Sequence, residues 1–201
     1  GYNGIETSSG DFLIPGYQMI TYGNNTYTSI PFMICLDENG NEKWFRFYSA
    51  ESGKNNAYAV VESLGGGFYV LGITEASGEG GKDISLIKTD DQGVQQWQKT
   101  YGGPTDDVGT NCLLSIDGNL YLAGTTTSFG NGDSDIWIIK TDGYGNEVWN
   151  KTYGGSAGDY LSEIKFNSEG GLTVIGTTSS FGAGGRDIYL LKLDIDGNYE
   201  Q

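Results

Sequence analysis

The sequence contains no histidine, so every catalytic triad and metal site built on imidazole is excluded. It has two cysteines, Cys35 and Cys112, too few for a disulfide framework and not spaced as zinc ligands. Proline is scarce, at 3 residues in 201, which rules out collagen despite abundant glycine. Basic residues are few: 11 Lys and Arg stand against 26 Asp and Glu, a formal net charge of −15. A surface of that sign repels phosphate, so nucleic acid is excluded as a partner. No apolar run reaches the roughly 18 residues of a spanning helix, so no membrane insertion is expected. The N-terminus shows no basic region followed by an apolar block, a pattern also found in processed secreted chains. A helical period of 3.6 is absent throughout.

What is present is glycine, 34 residues, with 13% aromatic and 37% hydrophobic content, enough to build a core. These residues recur with a period. "WFRFYSA", "WQKTYGG" and "WNKTYGG" begin at Trp44, Trp97 and Trp149, a repeat of about 52 residues. "GGFYVLGIT", "GNLYLAGTT" and "GGLTVIGTT" begin at Gly66, Gly118 and Gly170, and "KDISLIKTD", "SDIWIIKTD" and "RDIYLLKLD" at Lys82, Ser134 and Arg186. Each unit reads as four short strands rich in Val, Ile, Leu, Tyr and Trp. Tight turns such as "NSEGG" and "DIDGN" join strands one to two and three to four.

Four strands at a period near 50 predict an all-β fold, a β-propeller with four blades of four antiparallel strands. Approximate blades are 1–50, 51–103, 104–155 and 156–201, in a single domain. The first strand of each is expected innermost. Four blades either close as they stand or form part of a larger ring, and open blade edges predict a homo-oligomer.

The motif W-x-K-T-Y-G-G, then Asp, then G-G-x-x-x-x-G-T-T-x-S-F-G-x-G-x-x-D-I and K-x-D-x-x-G-N resembles the bacterial and archaeal β-propeller repeats of the SBBP type. It covers the chain and is closest from Trp97 to Asn198. The first unit departs from it at Pro31 and Cys35. The resemblance implies a secreted or cell-surface protein and no particular chemistry.

Two sets of recurrent acids stand out: Asp83, Asp135 and Asp187, and Asp107 and Asp159, with Asn55 in phase. Read as loop residues on one face, they either line a cation or polar-ligand site or cap the loops by accepting N–H bonds. Repetition in every unit favours capping. In the last turn Asp194, Asp196 and Asn198 present oxygens at alternate positions, as the start of a calcium loop does, but the turn is far shorter than a full loop. Calcium there is the one cofactor expectation, beside a hairpin-turn role. Tyr17, Tyr22 and Tyr27 crowd the least repetitive segment, Gln18 to Ile30, read as an irregular loop and the best place for a specific contact. Trp137 differs from its counterparts Ser85 and Tyr189. No catalytic residue emerges. The leading expectation is a non-enzymatic extracellular binding or scaffold module for protein or glycan. The alternatives are a self-assembling surface protein and a carbohydrate-active enzyme with paired carboxylates.

Overall fold

The computed structural model describes residues 3–22, 26–48 and 53–200. These form fifteen antiparallel strands in four consecutive sheets. The first holds β1 (Ile5–Glu6), β2 (Phe12–Tyr22), β3 (Thr26–Leu36) and β4 (Glu42–Phe47). The second holds β5 (Asn55–Glu62), β6 (Phe68–Thr74), β7 (Asp83–Thr89) and β8 (Gln95–Tyr101). The third holds β9 (Asp107–Leu114), β10 (Leu120–Thr126), β11 (Asp135–Thr141) and β12 (Glu147–Tyr153). The fourth has three strands, β13 (Asp159–Phe166), β14 (Leu172–Thr178) and β15 (Asp187–Leu193). Strand order within each sheet follows the chain, and β5 and β13 each approach β9.

Three apolar clusters lie between successive sheets. Leu13, Met33 and Trp44 of the first sheet meet Phe68, Val70 and Ile87 of the second. Leu71, Ile84 and Leu86 of the second meet Leu122, Trp137 and Ile139 of the third. Ala123, Ile136 and Ile138 of the third meet Ile164, Val174 and Leu191 of the fourth. The second and third sheets are thus buried on both faces. This explains why β7 and β11 are buried at every position rather than at alternate ones.

The W-x-K-x-Y motif grips the turn of the next sheet. Tyr101 Oη donates to Gly145 O at 2.7 Å, and Tyr153 Oη to Gly197 O at 2.8 Å. Lys99 and Lys151 lie over the rings of Trp97 and Trp149 and donate to Asn146 Oδ1 and Asn198 Oδ1. Glycine is required at both turns. Gly145 and Gly197 have φ of 71° and 74°, and a methyl group there would press into Trp97 and Trp149. Tyr48 reaches Gly93 O in the same way.

One expectation is corrected. The segment from Gln18 to Ile30, read as an irregular loop, is the end of an eleven-residue strand pair, with Gln18 opposite Ile30 and Tyr22 opposite Thr26. Its Tyr, Thr and Ile are strand formers, and it read as a loop because it breaks the repeat. Residues 23–25 of that segment lie outside the described residues. Cys35 and Cys112 are both buried and free, in strands of different sheets.

Candidate ligand cleft between the first two sheets

The recurrent acids stand at strand starts rather than within the loops: Asp83, Asp107, Asp135, Asp159 and Asp187 open β7, β9, β11, β13 and β15. The fold brings four of them together in pairs across sheet boundaries. A methyl group at Gly102 would overlap Asp83 Oδ1 and lie 3.0 Å from Asp107 Oδ2. At Gly154 it would overlap Asp135 Oδ1 and lie 2.6 Å from Asp159 Oδ2. All four carboxyl groups are buried. One oxygen of each later acid caps its loop. Asp107 Oδ2 accepts from Gly103 N at 2.8 Å and Ser128 Oγ at 2.7 Å, and Asp159 Oδ2 accepts from Gly155 N and Ser180 Oγ. Among the described residues Asp83 Oδ1, Asp107 Oδ1 and Asp159 Oδ1 are buried without a hydrogen-bond partner.

Burial, and then the charge of Asp107, push the Asp83 carboxyl up to about 6. Burial likewise raises Asp135, with Asp159 adding to it. Burial also opposes the charge of Asp159, but hydrogen bonds from Ser180, Thr178 and Gly155 hold its carboxyl below the ordinary value. Asp187 opens β15 half-buried, and no second carboxylate pairs with it among the described residues. At the first boundary Ile30 and Asn55 occupy the paired positions, and neither is an acid. Asn55 N donates instead to Ser29 Oγ at 2.9 Å.

The turn residues Asp194, Asp196 and Asn198 are hydrogen-bonded to one another. Asp194 Oδ1 accepts from Asp196 N at 2.9 Å and Asn198 N at 2.7 Å, and Asp194 Oδ2 accepts from Asn198 Nδ2. Lys151 Nζ donates to Asp196 O and Asn198 Oδ1, so a cation already lies against this turn. Asp37, Asp90 and Asp142 cap their turns in the same way.

That first boundary carries a cavity of about 340 Å³. Its origin is a change in the repeat. In the third sheet Phe129 lies against Trp137, ring centres 5.0 Å apart, and Trp137 Nε1 donates to Asn150 Oδ1. In the fourth, Phe181 lies against Tyr189 at 5.4 Å. The second sheet has Ser77 and Ser85 at these positions, and both line the cavity. Ser85 Oγ accepts from Gln98 Nε2 at 2.9 Å, the counterpart of the Trp137–Asn150 bond. Asn55, Asn56, Thr74 and Gln98 supply further polar groups to the lining, and Val70, Ile73 and Ile87 an apolar floor. Among the described residues no charged side chain lines it. The sequence signal was the in-phase exchange of an aromatic pair for two serines. The departure of Trp137 from Ser85 and Tyr189 is the half of it that stands out in the sequence.

Of the three tyrosines, Tyr17 stands nearest to this cavity in the strand register. Tyr17 pairs with Pro31, which lines it, and Tyr17 and Tyr27 share one face of the β2–β3 hairpin while Tyr22 lies on the other. Tyr22 and Tyr27 are exposed, and Lys54 Nζ stands 4.8 Å from the Tyr27 ring centre.

No protein-family model matches the sequence. A curated relative, the regulatory protein FlaEY of Caulobacter vibrioides, is 27% identical over 153 residues, 64% of this chain and 16% of that protein. Virginiamycin B lyase from Staphylococcus aureus aligns with 96% of this chain and 55% of its own, at 18% identity and a TM-score of 0.51. Xylan beta-1,4-xylosidase from Bacillus halodurans aligns with 95% of this chain and 41% of its own, at 12% identity and a TM-score of 0.55. The fold is an all-β, propeller-like array. The chain spans about half or less of each solved structure and a small part of FlaEY.

Proposed function

We propose that this protein is a non-catalytic, extracellular or cell-surface propeller module that binds a neutral, hydroxyl-bearing ring, such as a sugar unit of a glycan, in the cleft between its first two sheets. The observation that carries the reading is the replacement of an aromatic pair by Ser77 and Ser85, with the cavity of about 340 Å³ beside them. A cavity of about 150 Å³ holds benzene, so this one takes a hydrated ring. Hydroxyl and amide groups at the wall match the hydroxyls of a saccharide. Val70, Ile73 and Ile87 match its apolar face. The uncharged lining among the described residues favours a neutral ligand over an ionic one. The extracellular setting rests on the resemblance of the repeats.

The non-catalytic part rests on two features. Among the described residues no carboxylate lines the cleft to serve as general acid or base. The two carboxylate pairs are buried, out of reach of a glycosidic bond. A glycan array followed by calorimetry on the retained saccharides tests the reading. Wild-type protein is expected to bind, and Ser85→Trp to abolish binding while the chain stays folded by circular dichroism. No saccharide bound by wild type, equal binding by the Ser85→Trp variant, or turnover of a bound saccharide overturns it.

A further inference from the structure

The boundary between the second and third sheets is filled by Trp137 and Phe129 near the start of β11 and opens where β11 ends. A cavity of about 570 Å³ lies there, and it shares no lining residue with the cleft between the first two sheets. Its origin is two exchanges in one turn. At the next boundary along the chain, Ile195 packs against the apolar cluster, and Asp196 Oδ1 stands 3.8 Å from Lys140 Nζ. In the turn after β11 the counterparts are Gly143 and Tyr144, and both line the cavity. The first exchange removes an aliphatic plug. The second removes an acid and brings an exposed ring.

The lysine beside this turn is thereby left without a counter-ion. Lys88 lines the cavity and is the counterpart of Lys140 and Lys192. Lys140 pairs with Asp196, and Lys192 with Glu169 and Glu200. Lys88 is only 9% exposed and makes no ion pair among the described residues. Its Nζ donates to Gly66 O at 2.7 Å and Thr89 O at 2.6 Å, with the Tyr69 ring centre 5.3 Å away, so one N–H of three lacks an oxygen partner. A buried charge ordinarily has an ionic partner. Burial lowers the Lys88 ammonium below its ordinary value, against the pull of Asp91 and Asp90. Asp91 is exposed in the lining, with its Oδ1 accepting from Gly67 N. Asp90 and Asp117 also line the cavity but already accept from their own turns.

We infer that this cavity binds a small zwitterion with an apolar side chain, a free α-amino acid. The ligand's carboxylate takes the remaining Lys88 N–H and supplies the missing counter-charge. Its ammonium lies against Asp91. Its side chain enters the space that Ile195 fills at the next boundary, with Trp97 and Tyr144 as aromatic walls. A simple anion meets the repulsion of Asp90, Asp91 and Asp117, and a simple cation leaves Lys88 unpaired. A zwitterion satisfies both signs. The volume is that of a small-molecule site. This site is independent of the saccharide reading of the other cleft.

Isothermal titration calorimetry of the 201-residue chain with L-phenylalanine, phenethylamine and hydrocinnamate tests this. The amino acid is expected to bind, and each single-charge analogue to bind weaker by roughly tenfold or more. Gly143→Ile rebuilds the plug without changing any charge and is expected to abolish binding. Gly143 does not have a left-handed φ, and its counterpart is Ile195, so this variant keeps its near-ultraviolet circular dichroism. Lys88→Met is expected to weaken phenylalanine binding roughly tenfold and to erase its preference over phenethylamine. Ser85→Trp, in the other cleft, is expected to bind phenylalanine like wild type. No binding of phenylalanine by wild type, equal binding of the three probes, or undiminished binding by Gly143→Ile or Lys88→Met overturns the inference. So does loss of binding in Ser85→Trp, which would put the amino acid in the other cleft.

Discussion

The first and second sheet boundaries are built from the same repeat and solve the same packing problem differently. At the second, Trp137 and Phe129 fill the gap and Asp83 faces Asp107 near Gly102. At the first, serines replace the rings, Ile30 and Asn55 replace the acids, and a cavity of about 340 Å³ remains. A repeat protein holds its scaffold by keeping most boundaries alike and acquires specificity where one boundary is relieved of its packing role. The tighter boundary also carries an electrostatic cost that the open one avoids.

Breaking the filled boundary is the most severe test of this contrast. Trp137→Ser removes a buried ring and its bond to Asn150, and is expected to cost about 3–5 kcal/mol in urea unfolding. Removing a charge from the same boundary acts in the opposite direction. Asp83 has a folded pKa of about 6, above its ordinary 3.8, so the folded state holds its proton more tightly than the unfolded chain. Its contribution is favourable at low pH and is lost as pH rises from about 4 to about 6. Asp83→Asn is therefore expected to stabilise the protein above pH 6 by on the order of 2 kcal/mol, with the gain vanishing near pH 4. Melting curves at a series of pH values check the sign. A gain that is equal at all pH values contradicts the assignment.

A smaller effect is expected at the last turn. Asp194→Ala removes a side chain that accepts three hydrogen bonds and is expected to lower the melting temperature, by less than Trp137→Ser does. With Lys151 against the turn, wild-type melting is expected to be the same in calcium and in chelator. The smallest change sharpens the open boundary: Ser77→Phe with Ser85→Trp restores the aromatic pair and is expected to shift stability by less than about 1 kcal/mol, since filling a void and straining the wall oppose each other.

Most of the strand layout was legible because turn glycines and the recurring Trp, Tyr and Asp mark each unit. The recurring Trp44, Trp97 and Trp149 all fall in the last strand of a sheet, β4, β8 and β12. The β2–β3 extension was not legible, because a departure from the repeat looks like a departure from structure. The carboxylate pairs were half legible. Phase alone identified Asp83 and Asp107, but their meeting depends on how one sheet's last loop lies against the next sheet's first strand. The cleft was hardest to see. A cavity is set by what two serines fail to fill, and sequence reading looks for side chains that are present.

The tyrosine hydroxyl that holds the following sheet's turn, from Tyr48 to Tyr101 to Tyr153, has a mechanical consequence. Each clasp joins one unit only to its successor, so the molecule behaves as a short chain of coupled links. Load applied to the C-terminal end would strip the fourth sheet first, by opening the Tyr153–Gly197 clasp, and leave the earlier links engaged. Wear at one end of such a series would leave the cleft between the first two sheets intact.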